Sequence, residues 1–227
     1  MAQSAVRSGN IATFMSHVYT MLAVGLGITA GTSFLVSSSP YLLDLVSTPG
    51  ILVTLCIIEL AVVFGTLWKM RSLSSTSATG ALLLYSVLNG ATLTPLLMMY
   101  TGESVFMAFT ITSSTVITMS LFGYFTKKNL SGMNTFFLGV LIGLLALIVF
   151  NMFIVSSQMS LLISGIAVFV FTGLIAYDTQ AIKSSYRPGM EYTEEGFKTA
   201  LMGALSIYLD FINLVIHLLR LVGASND

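Results

Sequence analysis

The segment that decides the fold is an apolar run near the end of the chain, residues 199–222, which reads TALMGALSIYLDFINLVIHLLRLV. About 20 mostly apolar residues are what a helix needs to cross the hydrocarbon core of a bilayer. The polar and small residues of this run recur at spacings of four and three, which places them on one helix face. They are Thr199, Gly203, Ser206, Asp210, Asn213, His217 and Arg220. The run is therefore predicted to be a transmembrane helix with a polar stripe.

The opposite face of this helix consists of Leu, Ile, Phe and Val. Polar groups have no partners in lipid, so the stripe is predicted to face protein or water. In one interpretation the stripe lines a path through the protein. In the other, its side chains form hydrogen bonds with neighbouring helices, worth about 0.6 kcal/mol each. The sequence leaves both interpretations open.

The composition of the whole chain indicates the same environment. Of the 227 residues, 56% are hydrophobic and 8% are charged, and the mean hydropathy is +0.93; an average soluble domain has about 25% charged residues. The net charge is zero, which gives no basis for predicting a nucleic-acid partner. A single cysteine, Cys56, excludes a disulfide within the chain. The chain is predicted to be an integral membrane protein whose partner is the lipid bilayer.

Apolar runs of similar length recur along the sequence between short polar breaks. They predict an all-α integral membrane protein, a single membrane domain over residues 1–227 with seven transmembrane helices. The predicted spans are residues 12–36, 51–68, 80–100, 104–126, 135–155, 160–182 and 199–222. The longest break, residues 183–195, holds Pro188, Gly189 and the acids Glu191, Glu194 and Glu195, which predict a solvated turn.

Basic residues are divided unevenly between the two sides of this bundle. With a cytoplasmic N-terminus, the inner side holds Arg7, Lys69, Arg71, Lys127, Lys128, Lys183, Arg187 and Lys198. The outer side holds Arg220, so the positive-inside rule favours this orientation. A re-entrant last helix would return Arg220 to the inner side, and six spans plus such a helix stays an alternative. The short loops favour a bacterial inner membrane as the host, with an internal organelle membrane as the alternative.

Three acids lie inside predicted spans, where a charged carboxylate costs at least about 2.5 kcal/mol. They are Glu59, Asp178 and Asp210. At about 1.5 Å per residue from the nearest basic residues, Glu59 and Asp210 lie near the membrane midplane and Asp178 lies closer to the inner surface. Acids at this depth face the bundle interior or water, so all three are functional candidates.

Asp178 and Asp210 lie on consecutive antiparallel spans, and a hairpin between the spans can bring the two carboxyl groups together. Two carboxyl groups in contact at membrane depth would share a proton, because burial and like charge both oppose a second ionisation. Such a pair would act as a pH switch. The alternative is that each acid is separately neutral or is paired with Lys, Arg or Tyr.

Glu59 has no basic residue one turn away and no second acid in its span. It is predicted to be protonated, hydrogen-bonded or exposed to a water-filled cavity, where it could coordinate an ion. Asn89, Ser206 and Asn213 supply further oxygen atoms, the ligand type that calcium prefers. These four residues form a candidate ion path. Neither HExxH nor a paired-histidine spacing predicts a dedicated metal site.

Three motifs carry a resemblance to a known family: residues 123–131 read GYFTKKNLS, residues 175–180 read IAYDTQ, and residues 208–214 read YLDFINL. Residues 17–23 (HVYTMLA) and 89–95 (NGATLTP) extend the match towards the N-terminus. On these motifs the chain resembles the Bax inhibitor-1 family, also called the transmembrane Bax inhibitor motif family, over nearly its whole length.

The resemblance implies a seven-helix fold whose last helix is central and surrounded by the other six. It also implies a pH-sensitive calcium leak in which Asp178 and Asp210 form a hydrogen-bonded pair that gates the pore. Glu59 matches a glutamate that is associated with the ion path. Bacterial relatives carry an arginine that latches the aspartate pair where this chain has Met70, so the adjacent Lys69 and Arg71 become the candidate latch residues. Calcium is the expected transported ion, and no enzymatic activity or cofactor is expected.

A second class of function stays open, a regulator that binds another membrane protein, such as a membrane protease, and transports nothing itself. Its contact surfaces would be the N-terminal tail and residues 183–198. An intramembrane aspartyl protease is disfavoured, because Tyr208 and Leu209 stand before Asp210 where those enzymes carry Gly-x-Gly. The Pro-Ala-Leu motif of those enzymes is also missing after Asp210.

Overall fold

The computed structural model describes residues 10–69, 72–154 and 156–224, and the regular secondary structure of these residues is helical. The helices are α1 (Ile11–Ser37), α2 (Pro40–Ser47), α3 (Pro49–Lys69), α4 (Ser75–Leu97), α5 (Gly102–Phe125), α6 (Met133–Ile154), α7 (Ser157–Ser185) and α8 (Glu194–Val222). A 3₁₀ turn, Met190–Tyr192, lies between α7 and α8.

Among the described residues, six helices are long and apolar enough to cross a membrane: α1, α3, α4, α5, α7 and α8. Helix α6 contributes a shorter apolar stretch, Thr135–Asn151. Each predicted span coincides with one of these seven helices. The prediction of an all-helical, multi-pass membrane protein is confirmed.

Helices α7 and α8 are longer than the spans predicted for them. Each has 29 residues, about 43 Å at about 1.5 Å per residue, whereas the hydrocarbon core is about 30 Å thick. Helix α8 begins five residues earlier than expected, with Glu194 and Glu195 in its first turn. Acids are favourable there because the N-terminal end of a helix carries partial positive charge. Both helices are therefore longer than the apolar core is thick.

A short helix, α2, lies in the break between the first two spans and was not predicted. Its start is capped by Ser39, whose hydroxyl accepts a hydrogen bond from the Leu42 N–H. Pro40 follows at the first helical position, where its missing N–H costs nothing. A serine cap followed by proline is the sequence signal for this helix.

The chain divides into two compact units. The first consists of Met1–Pro95 with Ile182–Leu205, and the second consists of Leu96–Ala181 with Ser206–Asp227.

In the first unit, α1 and α4 pack closely through small residues. The Thr29 hydroxyl donates to the Ser86 carbonyl over 3.0 Å, and the Ser33 hydroxyl donates to the Gly90 carbonyl over 2.7 Å. A Cβ on Gly90 would lie 2.6 Å from the Thr29 carbonyl oxygen. Glycine is required here because any side chain would push the two backbones apart.

The connection between α7 and α8 also belongs to the first unit and differs from the predicted solvated turn at one residue. Glu194 and Glu195 are exposed, but the Glu191 side chain is 5% exposed. Its carboxylate accepts hydrogen bonds from the Asn10 N–H, at the start of α1, and from the Tyr186 hydroxyl. Burial alone would raise the pKa of Glu191, but these hydrogen bonds hold it below its usual value.

In the second unit, the motif glycine Gly123 brings α5 against α7. A Cβ on Gly123 would lie 2.2 Å from the Ala176 carbonyl oxygen. Nearby, the Gln180 side chain accepts from the Leu130 N–H over 2.7 Å and donates to the Lys128 carbonyl over 2.8 Å. Gln180 thus satisfies two backbone groups of the α5–α6 connection and attaches that connection to α7.

Candidate functional site

The candidate aspartate site lies in the second unit, where α7 carries Asp178 and α8 carries Ser206 and Asp210. The Ser206 hydroxyl donates a hydrogen bond to Oδ2 of Asp178, which is half-buried. Ser206 and Asp210 lie four residues apart and therefore on the same face of α8. The helical spacing of the sequence stripe thus brings a hydroxyl and a carboxyl group to the same side of the helix.

Asp210 is the more deeply buried acid, with 6% of its side chain exposed. Its Oδ2 is buried and has no hydrogen-bond partner within the described residues. Buried polar atoms are nearly always hydrogen-bonded, so an unpartnered carboxyl oxygen at membrane depth requires an explanation. A proton, a water molecule or a cation at this oxygen would complete the site.

The two aspartates are close enough for their charges to interact. Within the described residues, however, the hydrogen bond that reaches Asp178 comes from Ser206 and not from Asp210. The structure therefore places the two acids in one site, with a serine hydroxyl as the direct partner of Asp178. In a low-dielectric site of this kind, two negative charges are unfavourable together, and one of the two acids is favoured in its neutral form.

A second buried carboxylate lies in the first unit, where Glu59 of α3 faces α4 and is 8% exposed. Asn89 donates a hydrogen bond from Nδ2 to Glu59 Oε1, and the Thr92 hydroxyl lies 3.0 Å from Glu59 Oε2. Asn89 was a candidate ion-path residue in the sequence analysis, whereas Thr92 was not a candidate. Thr92 follows Asn89 by three residues, so the spacing that places both on one helix face was the available signal.

Two further stripe residues of α8 form structural contacts. Asn213 is half-buried and donates from Nδ2 to the Leu209 carbonyl of its own helix over 2.8 Å. His217 is buried, its Nδ1 lies 3.2 Å from the Ser164 hydroxyl on α7, and its ring stacks on Phe171 with centroids 6.2 Å apart. Ser206 and His217 thus join α8 to α7, as the hydrogen-bonding interpretation of the stripe predicts.

One of the two candidate latch residues lies in the described part of the chain. Lys69 lies in the last turn of α3 and is exposed, whereas Arg71 lies outside the described residues. The latch therefore stays a prediction. In the part of the chain that the structure describes, no group of three or more His, Cys, Asp or Glu side chains is arranged to hold a metal ion.

Comparison with known proteins agrees with this architecture. Residues 11–227 match the family model described as "Inhibitor of apoptosis-promoting Bax1". An uncharacterized protein of Deinococcus radiodurans is 37% identical over 217 residues, which covers 96% of this chain and 92% of the relative. An uncharacterized membrane protein of Streptococcus pyogenes serotype M6 is 37% identical, with 94% and 93% covered. The inner membrane protein YbhL of Escherichia coli K12 is 36% identical, with 93% and 91% covered.

The family match covers nearly the whole chain, and the relatives align over most of their own length. The match includes the motifs that carry Asp178 and Asp210 together with the helices that hold them. The chain therefore belongs to the Bax inhibitor-1 family of multi-pass membrane proteins.

Proposed function

We propose that this chain is a pH-sensitive cation leak channel, with calcium as the transported ion and the Asp178 and Asp210 pair as its gate. The observation that carries the proposal is the buried Asp210 carboxyl group, whose Oδ2 has no hydrogen-bond partner within the described residues and which lies close to a second acid. In this proposal the chain has no enzymatic activity and no resident cofactor.

The chemistry of the pair supports a gate that responds to protons. Calcium is a hard cation that prefers carboxylate and other oxygen ligands, and two ionised aspartates attract it strongly. A proton on either acid removes half of that charge and changes the repulsion between α7 and α8. Protonation therefore alters both the affinity of the site for a cation and the packing of the two helices. Within the second unit, Ser206 and Asn213 are the further oxygen-bearing residues of the proposed path. Within the first unit, Glu59 and Asn89 are the proposed ion contacts.

The proposed topology has seven spans, with α6 as the fifth and α8 as the last. At the start of α8, the Glu194 carboxylate accepts from the Ser75 N–H at the start of α4 over 3.1 Å. Beyond its end, the Ala224 carbonyl accepts from the Thr101 N–H, just past the end of α4, over 3.0 Å. Since α4 crosses the membrane once, these contacts support a last helix that also crosses and does not re-enter.

Two further features belong to this proposal. In the most apolar 18-residue stretch of α8, 67% of the residues are buried, whereas the corresponding share is 17–39% in the other five candidate spans. This difference supports α8 as the enclosed central helix. The Asn10 N–H, just before α1, donates to Glu191 in the α7–α8 connection. Lys198, near the start of α8, donates to the Leu73 carbonyl just before α4. In sequence these segments adjoin Lys69, Lys183, Arg187 and Lys198, which supports a cytoplasmic N-terminus. The proposed host is a bacterial inner membrane.

Calcium entry into proteoliposomes, followed with an enclosed fluorescent indicator at a series of pH values, tests the proposal. The wild-type chain is expected to pass calcium in a pH-dependent way, and Asp178→Asn and Asp210→Asn are expected to lose that dependence. The matched control is Asp44→Asn, because Asp44 is an exposed acid on α2. Flux no greater than that of empty liposomes would refute the leak and favour the regulator of another membrane protein. Unchanged pH dependence in both variants would refute the gate.

A further inference from the structure

The short helix α2 has two apolar sides, of which only one is covered by protein. Val46 is buried and Leu43 is half-buried, and α2 packs against α1 and α3 within the first unit. The other apolar side is exposed, and its most exposed side chain is Tyr41, at 75%. It consists of Tyr41, Leu42 and Leu45.

A third side of α2 is polar and consists of Asp44 and Ser47, both exposed. At about 100° per residue, the three exposed apolar side chains cover an arc of about 100° and the two polar residues lie opposite that arc. A helix that lies in a membrane interface has this pattern, with its apolar side in the acyl boundary and its polar side in water. The covered side faces α1 and α3, so the helix axis runs along the membrane surface beside the bundle.

The neighbouring spans show what covers the exposed apolar side. Phe34 and Leu35 in the last turns of α1 are exposed, as are Val53 and Ile57 near the start of α3. Both helices are candidate membrane spans, so these side chains face lipid. Because α2 connects the two helices and packs against both, its exposed apolar side continues a surface that lipid already covers.

The charge of this region indicates the kind of lipid surface that α2 fits. Residues 8–68 contain no Lys or Arg, and Asp44 is the one charged residue of α2. Interfacial helices bind through buried apolar area and through attraction of basic residues to anionic lipids. Only the apolar contribution is available to α2. Tyr41 adds an amphipathic ring of the kind that is enriched at membrane–water interfaces.

We propose that α2 is an interfacial lipid-binding helix whose exposed apolar side (Tyr41, Leu42 and Leu45) inserts at the boundary between headgroups and acyl chains. The contact does not require anionic headgroups, and it holds the connection between α1 and α3 at a fixed membrane depth. In the proposed topology this is the outer leaflet. The inference goes beyond the proposed leak and uses none of its gate or path residues, so it holds whether or not the chain passes calcium.

Spin-label accessibility in the full-length chain, reconstituted in phosphatidylcholine vesicles, tests the proposal. Nitroxides are attached to single cysteines made by Tyr41→Cys, Leu45→Cys, Asp44→Cys or Ser47→Cys in a Cys56→Ser background, because Cys56 is exposed on α3. Oxygen concentrates in lipid, whereas a nickel chelate stays in water. Labels at 41 and 45 are expected to be reached mainly by oxygen, and the matched labels at 44 and 47 mainly by the nickel chelate. Added phosphatidylglycerol should leave this pattern unchanged.

Three results would overturn the proposal. Access of the nickel chelate to labels at 41 and 45 would show that this side faces water. Exclusion of both reagents, with spin–spin broadening between labels, would show that a second copy of the chain covers it. A pattern that appears only with phosphatidylglycerol would show that the contact depends on anionic lipid.

Photolabelling of the wild-type chain supplies a measurement that needs no substitution. A phosphatidylcholine with a diazirine near the headgroup end of its acyl chain is activated in the vesicles, and lipid adducts are located by mass spectrometry. Adducts are expected within residues 40–47 as well as on the exposed side chains of α1 and α3. Adducts on α1 and α3 with none within residues 40–47 would overturn the proposal.

Discussion

Replacement of Gly123 by alanine should destabilise the second unit, and the size of the effect follows from the contact between α5 and α7. The new Cβ would lie 2.2 Å from the Ala176 carbonyl oxygen. Real Cβ atoms essentially never approach another heavy atom closer than 3.0 Å, so the contact is about 0.8 Å too short. That oxygen belongs to the backbone of α7 and cannot rotate away, so the helices must separate. Overpacking of this kind costs about 1–3 kcal/mol, from which the better helix propensity of alanine recovers about 0.5–1 kcal/mol.

Because the clash is with backbone, the cost lies at the upper end of this range, and the expected net loss is about 2 kcal/mol, measured as the free energy of unfolding in detergent micelles or as a lower Tm. At about 2–4 °C per kcal/mol for a chain of this length, Tm should fall by roughly 4–8 °C. The matched control is Gly143→Ala on α6, where an added Cβ meets nothing within 4 Å. It should leave Tm unchanged or raise it slightly. Equal Tm values for Gly123→Ala and wild type would show that α5 and α7 do not approach as closely as described.

Two further predictions concern hydrogen bonds to carboxylates. Ser206→Ala removes the donor to Asp178 and should lower the free energy of unfolding by about 1–2 kcal/mol; Ser206→Thr, which keeps a hydroxyl, should stay closer to wild type, and equal losses in both would contradict the role of the hydrogen bond. The pKa of Glu191 is held below its usual value of about 4.3. Its carboxylate therefore stabilises the fold at pH values above about 4.3, and this contribution is lost as pH falls through the lowered pKa. Glu191→Gln should therefore reduce the acid-induced fall in Tm, whereas Glu195→Gln, at an exposed position, should not. The same dependence of Tm on pH in wild type and Glu191→Gln would count against a stabilising role of the buried carboxylate.

The membrane spans and their order were predictable from the sequence because they depend on local properties. About 20 apolar residues between polar breaks form a helix in a bilayer, where no other open structure satisfies the backbone. The polar stripe of α8 follows from helical spacing in the same way, and the structure places Ser206 and Asp210 on one face as that spacing requires. The resemblance to the Bax inhibitor-1 family was likewise carried by short contiguous motifs, and the family match confirms it.

Only the tertiary structure shows which partners these residues have. Thr92 reaches Glu59 across 33 positions of sequence, and the Asn10 N–H reaches Glu191 across 181 positions. From sequence Glu191 is predicted to be a solvated loop acid, but the start of α1 packs against it and buries it. The close approach at Gly123 depends on which helix lies opposite, which local periodicity does not specify. Sequence by itself determined which segments are membrane spans, because that depends on the length and hydrophobicity of each segment. Packing decided which buried acids are satisfied and which oxygen is left without a partner, because those properties depend on groups that meet only when the helices are assembled.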